Sequence, residues 1–173
     1  MVHFRINIYL SILNFLKSFF ISNPEIKKIE KLINKTSGKR DFVLTSQLRV
    51  GFLILLKYLK KKFPKKKEII FQPFNLPEMI NVAKNLGFKT NFVEQSLETG
   101  EPNLQSLKKK LNKKTLAVVV TNIFNSPSSL LNIKKICSKK KIILIEDNAI
   151  YFDNYFYKKN KKYFSGSFGD FSL

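Results

Sequence analysis

The stretch Lys141-Ile142-Ile143-Leu144-Ile145-Glu146-Asp147-Asn148-Ala149 decides the fold. Bulky, mostly β-branched apolar residues run without a polar break into two carboxylates. Such a run reads as a strand buried on both faces of a parallel sheet. The acids then stand at its carboxyl end, where open α/β sheets bind ligands. A carboxylate at the edge of an apolar layer is costly unless a cation or metal meets it. The partner of Glu146 or Asp147 is therefore the functional question.

Outward from this strand the pattern alternates. Upstream, Ser128 or Ser129 caps a helix running to about Ser138, and Thr115–Thr121 reads as a second buried strand. Before it come a strand over Glu68–Gln72, a helix over Pro77–Leu86 stopped by Gly87, a strand over Thr90–Val93 and a helix over Asn103–Leu111. This rhythm predicts βαβ units, hence an α/β fold with a mostly parallel sheet flanked by helices. Ser46 is the expected N-cap of a long apolar helix from Gln47 to about Lys62, after a short strand at Phe42–Leu44 and a loop over Lys35–Lys39. Downstream, Tyr151–Tyr157 and Tyr163-Phe164 predict a hairpin turning at Lys158–Lys162. The chain closes on Gly166-Ser167-Phe168-Gly169-Asp170-Phe171-Ser172-Leu173, apolar to the last residue, which reads as a longer protein cut inside a core element.

The first forty residues read separately, as an N-terminal helical segment (1–40) before a partial α/β domain (41–173). A charged helix starts at Asn23-Pro24 and runs to about Asn34. Residues 4–21 are strongly apolar, but Asn7, Ser11, Asn14 and Ser18 recur at helical spacing, and Arg5 and Lys17 interrupt the run. That suits a helix packed on the domain or on a partner, with weak membrane-surface contact as the second reading; it suits neither a secretory signal nor a membrane span. A cytoplasmic location follows as the default.

The formal net charge is +20, from 32 Lys+Arg against 12 Asp+Glu. The lysines lie in short runs scattered over many elements, Arg is rare, and no zinc spacing or basic-aromatic stacking motif appears. The charge therefore reads as solvated helix ends in a Lys-, Ile-, Asn- and Phe-rich sequence rather than as a nucleic-acid surface. The single Cys, Cys137, lies in an apolar helical pattern as a small core residue, and the single His, His3, removes His-dependent nucleophilic and metal chemistries. Neither G-x-G-x-x-G nor G-x-x-x-x-G-K-[ST] occurs, which weakens dinucleotide and nucleoside-triphosphate readings. One acidic pair without a second acidic loop is a poor metal site, and no metal is expected. A protonated heteroaromatic nitrogen is another partner for a lone buried acid, and pyridoxal phosphate carries one.

The segments Lys114–Pro127, Ile143–Ala149 and Gly166–Asp170, with Arg49–Leu56, Ile69–Asn75 and Leu86–Glu94 upstream, together resemble the DegT-type (DegT/DnrJ/StrS) nucleotide-sugar aminotransferases. The resemblance covers about Asp41–Leu173. It implies the large domain of a fold-type I pyridoxal-phosphate enzyme, truncated. It also implies amino transfer from a donor such as glutamate to a keto-sugar nucleotide, as in polysaccharide biosynthesis, by a homodimer. By the same resemblance Asp147 meets the ring nitrogen, Phe74 lies near the aromatic that stacks on the ring, Leu48 and Arg49 fall where the phosphate binds, and Asn122 stands where many members carry a His. The chain departs from the pattern at Leu48-Arg49, in place of Gly-Thr, and at Ile150, in place of Gln or His. The Schiff-base Lys is expected after Leu173, so no catalytic residue is assigned within the chain and the piece alone is expected to be inactive. A degenerate, non-catalytic relative and a basic nucleic-acid-binding α/β domain are the alternatives.

Overall fold

A computed structural model of the chain describes residues 11–20, 26–37, 42–122, 127–149, 155–158, 161–164 and 166–173. Among them the helices are α1 (Ile12–Ser18), α2 (Ile26–Ser37), α3 (Leu48–Lys62), α4 (Pro77–Asn85), α5 (Leu104–Lys110) and α6 (Pro127–Lys139). The strands are β1 (Glu68–Phe71), β2 (Lys89–Phe92), β3 (Thr115–Thr121), β4 (Ile143–Asp147), β5 (Tyr155–Lys158), β6 (Lys161–Phe164) and β7 (Phe171–Ser172). Five of them form one sheet in the order β2-β1-β3-β4-β7, and every pairing in it is parallel. β5 and β6 form a separate antiparallel hairpin.

Strand periodicity divides the core in two. Ile69, Phe71, Val119 and Ile145 pack with Phe52, Leu56 and Leu59 of α3 and Met79 and Ala83 of α4. Ile70, Val118 and Leu144 point the other way, onto Leu107 and Leu111 beside α5 and Leu130, Ile133 and Cys137 of α6. Residues on β3 from Thr115 to Val120 are buried throughout, as a central parallel strand requires. The connection β1-α4-β2 leaves β1 on one side, and β2-α5-β3 crosses back to the other. The chain order thus reverses between β1 and β3, which opens a crevice at their carboxyl ends.

Local chemistry sets the ends of these elements. At the end of α4, Gly87 has φ +79°, its N–H donates to the Lys84 carbonyl, and the Phe88 N–H donates to that of Ala83. This is a Schellman closure, with Phe88 buried behind it. Asn103 caps α5 by accepting from the backbone N–H of Gln105 and Ser106 at 2.9 and 3.0 Å. Cys137 is buried, and its thiol is pushed up to about 12 by that burial and then by Asp170, which fits a core residue and not a nucleophile.

Several boundaries differ from the sequence expectations. α3 starts at Leu48 with Gln47 as N-cap, not Ser46, and no side chain caps it. Phe42–Leu44 forms no strand; Val43 is 77% exposed and nothing pairs with it. α2 continues to Ser37, through residues expected in a loop. α6 begins at Pro127, whose fixed φ suits a first helical turn, so neither Ser128 nor Ser129 is its cap. β4 extends through both acids. The hairpin forms with its turn inside the expected Lys run, while Ile150 and Tyr151–Asn154 lie outside the described residues. The apolar side chains at the start of α1 are largely exposed: Ile12 and Leu13 are 80% and 63% exposed.

Replacing Gly87 by Ala forces a left-handed backbone onto a Cβ, and should destabilise the protein by roughly 1–2 kcal/mol. Asn103→Ala should cost about 1 kcal/mol through the lost cap. Urea titrations of the two variants against wild type check both values.

Candidate functional site

Glu146 and Asp147 are consecutive, so they face opposite sides of the sheet. Asp147 shares the face of Ile145, toward α3 and α4; Glu146 shares that of Leu144, toward α5 and α6. The two carboxylates consequently have different environments.

Glu146 is fully buried. Its Oε2 accepts from the Gly166 N–H at 3.0 Å, and its Oε1 accepts from Phe168 at 2.7 Å and from Gly169. It is satisfied by the backbone of one loop. That loop needs its glycines: Gly166 has φ +78°, and a Cβ at Gly169 would collide with the Phe171 carbonyl oxygen. Next to it, Asp170 accepts from the Leu144 N–H at 2.9 Å and pairs with Lys134 of α6 at 2.5 Å. The G-S-x-G-D segment is thus a clasp around β4.

Asp147 is 3% exposed but much less well served. Its Oδ1 accepts from the Ala149 N–H at 3.2 Å and its Oδ2 from the Thr121 hydroxyl at 3.4 Å, both long. Burial raises its pKa, against the smaller lowering effects of Ala149 and Thr121. Thr121 is its register partner on β3 and accepts in turn from the Asn75 amide at 2.8 Å. One further polar group beside Thr121 is underused: the Oδ1 of Asn75 is buried without a partner. The Oε1 of Gln72 is also buried and unpaired, but Gln72 follows Phe71 and by strand alternation faces the other side of the sheet. A buried acid with weak donors is an arrangement that accepts a cationic or N–H-bearing ligand.

Of the remaining expected site residues, Asn122 is bonded to Asp147. Asn122 donates its backbone N–H to the Asp147 carbonyl at 2.9 Å. Its side-chain amide is committed to Asn148, which reaches Ser172 at 2.9 Å, so Asn122 ties β3, β4 and β7 together. Phe74, after β1, is 57% exposed. Leu48 packs against the same core cluster as Ile145, which puts the start of α3 on the Asp147 side of the sheet. Arg49 is exposed, and its Nε donates to the Gln47 side chain at 2.7 Å. Among the described residues no cluster of His, Cys, Asp and Glu could hold a metal ion, and no helix is long and apolar enough to cross a membrane. Asn75, Thr121 and Gln72 were not singled out in the sequence as functional. Their position at or within four residues of the carboxyl end of an apolar strand is the signal that marks them.

The sequence pattern of the DegT/DnrJ/EryC1/StrS aminotransferase family matches residues 7–172. The chain belongs to this family. Among its relatives, GDP-4-keto-6-deoxy-D-mannose 3-dehydratase of Escherichia coli O55:H7 is 27% identical over 134 residues, which is 75% of this chain and 34% of that protein. GDP-perosamine synthase of Escherichia coli O157:H7 is 24% identical over 145 residues, 83% of this chain and 39% of the relative. The chain thus spans little more than a third of the length of these family members. The solved E. coli GDP-4-keto-6-deoxy-D-mannose-3-dehydratase with bound hydrated PLP superposes with a TM-score of 0.74 at 25% identity, covering 91% of this chain and 41% of that one. The α/β fold with a mostly parallel sheet is the one the DegT resemblance implied.

The two acids should respond oppositely to neutralisation. Glu146→Gln places amide hydrogens against backbone N–H donors and should destabilise by about 2–3 kcal/mol. Asp147 has its folded pKa raised, so its contribution to stability is fully present below the ordinary carboxylate value and is lost as pH rises through the folded pKa. Asp147→Asn should therefore stabilise the ligand-free protein at neutral pH, with the gain fading toward acid pH. Denaturant titrations across pH check this.

Proposed function

We propose that this chain is the N-terminal part of the cofactor-binding domain of a pyridoxal-phosphate-dependent sugar aminotransferase. The observation that carries the reading is Asp147, a buried acid at the switch-point edge with no full complement of donors. A pyridinium N–H supplies what it lacks. When bound, pyridoxal phosphate provides an electron sink for chemistry at the amino-bearing carbon, and an acid at its ring nitrogen sustains that property.

In this reading Asp147 holds the proton on the ring nitrogen, and Phe74, exposed beside the crevice, contributes an apolar wall to the ring. The uncapped start of α3 offers the backbone N–H groups of Leu48 and Arg49 to the phosphate, with the Arg49 guanidinium available once it leaves Gln47. Asn122 acts through the backbone that positions Asp147. The substrate class is a nucleotide-linked keto-sugar and the donor an amino acid such as glutamate. The protein acts as a homodimer in the cytoplasm, in polysaccharide biosynthesis. In this reading residues 1–40 count as an N-terminal segment preceding the domain of 41–173, and the lysine that links the cofactor is expected after Leu173.

A second reading is favoured by one observation: a relative at 27% identity is named as a 3-dehydratase of the keto-sugar nucleotide, not as an aminotransferase. The same cofactor site then serves removal of a sugar hydroxyl.

The test uses the purified protein, titrated with pyridoxal phosphate and followed by near-visible absorbance. Binding is expected for wild type. Asp147→Ala should weaken it about 10- to 100-fold, the equivalent of one charge-assisted hydrogen bond. If Asp147→Ala binds as tightly as wild type, the assignment of the acid is wrong. Incubation of the full-length protein, which in this reading carries the lysine, with GDP-4-keto-6-deoxymannose and glutamate, read by mass spectrometry, separates an aminated product from a 3-deoxy one.

A further inference from the structure

Asp147 sits at the end of a directed hydrogen-bond chain that begins at Asn75, four residues past β1. The Asn75 amide donates to the Thr121 hydroxyl oxygen at 2.8 Å, and that hydroxyl donates to Asp147 Oδ2 at 3.4 Å. A hydroxyl has one proton. Because Asn75 presents N–H to the Thr121 oxygen, the Thr121 proton has to point elsewhere, and the acceptor in reach is Asp147. Were the amide turned over, its carbonyl would claim that proton and Asp147 would lose its side-chain donor. Among the described residues the Asn75 side chain has no other hydrogen-bond partner, and its Oδ1 is buried and unpaired. Its orientation thus serves the chain and no competing bond.

We propose that Asn75 and Thr121 are positioning residues for Asp147: Asn75 orients the Thr121 hydroxyl, and Thr121 holds the carboxylate in the rotamer that receives the ligand cation. The proposal rests on the cofactor reading above for its purpose but not for its geometry. The strands supply the rigidity, since Thr121 and Asp147 are register partners in the sheet. The Asn122 N–H to Asp147 carbonyl bond pins the backbone on the other side of the same pair. Among the described residues the groups that hydrogen-bond the carboxylate, the Ala149 N–H and the Thr121 hydroxyl, are neutral, and Glu146 faces the opposite side, engaged by the backbone of Gly166, Phe168 and Gly169. At 3.4 Å the Thr121 bond guides the carboxylate more than it neutralises it. That leaves Asp147 in need of a ligand, and it agrees with the upward shift that burial imposes.

The decisive experiment follows the Asp147 carboxyl by carbon NMR in ligand-free protein labelled at the Asp side-chain carbonyl, its signal assigned with Asp147→Asn. Thr121→Val, which keeps the shape and removes the hydroxyl, should move the Asp147 titration midpoint upward. Thr121→Ser should restore it. Asn75→Ala, which touches no atom of Asp147, should move it the same way by less. A merely structural role would lower unfolding stability while leaving the midpoint in place, and that result for Thr121→Val or Asn75→Ala overturns the proposal. So does a Thr121→Ser variant that behaves like Thr121→Val. In parallel, the dissociation constant for pyridoxal phosphate should rise about tenfold in Thr121→Val, the loss of one modest hydrogen bond. Failure of wild type to bind pyridoxal phosphate sinks the functional reading alone, because the midpoints are measured without it.

Discussion

The Glu146 carboxylate, holding the backbone N–H groups of Gly166, Phe168 and Gly169, is the interaction from which the site follows. It brings the chain back to β4 after the hairpin, so that β7 adds to the sheet and Asp170 reaches Leu144 and Lys134. A buried carboxylate this well supplied with donors is a stable element of a core. Its neighbour Asp147 is the reverse. The two acids differ by one methylene and one step along the strand, yet one completes the fold while the other keeps only two long hydrogen bonds, the opening on which the proposed cofactor contact rests. The alternation of side chains across the sheet creates that difference, not the chemistry of the acids themselves.

Most of the fold was legible because the buried strands announce themselves. Thr115–Thr121 and Ile143–Ile145 are apolar runs too short for helices, and upstream of them Gly87 ends α4 and Asn103 starts α5. What failed were elements decided by context. Phe42–Leu44 has strand-forming residues and no neighbour to pair with. Ser46 is a good cap by composition, but the chain turns one residue later, at Gln47. The choice of Asp147 over Glu146 was readable only through family resemblance, since a loop more than twenty positions away in sequence is what occupies Glu146. The parts of the site carried by Asn75 and Thr121 depend on which strands become neighbours, and residue spacing alone does not give that.

The electrostatics of the chain separate into two scales. The lysine excess is spread over exposed helix ends, where salt and water screen it and single pairs contribute little. The charge on which the proposed function rests is one buried carboxylate, where a neutral hydroxyl 3.4 Å away still bears on its pKa. Net charge is consequently a poor guide to what this protein does, and the placement of a few polar groups at one sheet edge is a good one.

The turn between α6 and β4 has a bearing on how such a chain can change over generations. Lys141 adopts φ 52°, and the Ile142 N–H returns to the Cys137 carbonyl at 2.9 Å, which locks the phase with which β4 enters the sheet. Insertion or deletion of a single residue there would rotate β4 by one pleat. It would turn the aspartate toward the glycine loop and the longer glutamate into the crevice, each one methylene the wrong length for its new place. Lineages of this fold can therefore vary the identity of residues in this turn freely, but its length is held by two acids that the turn never touches.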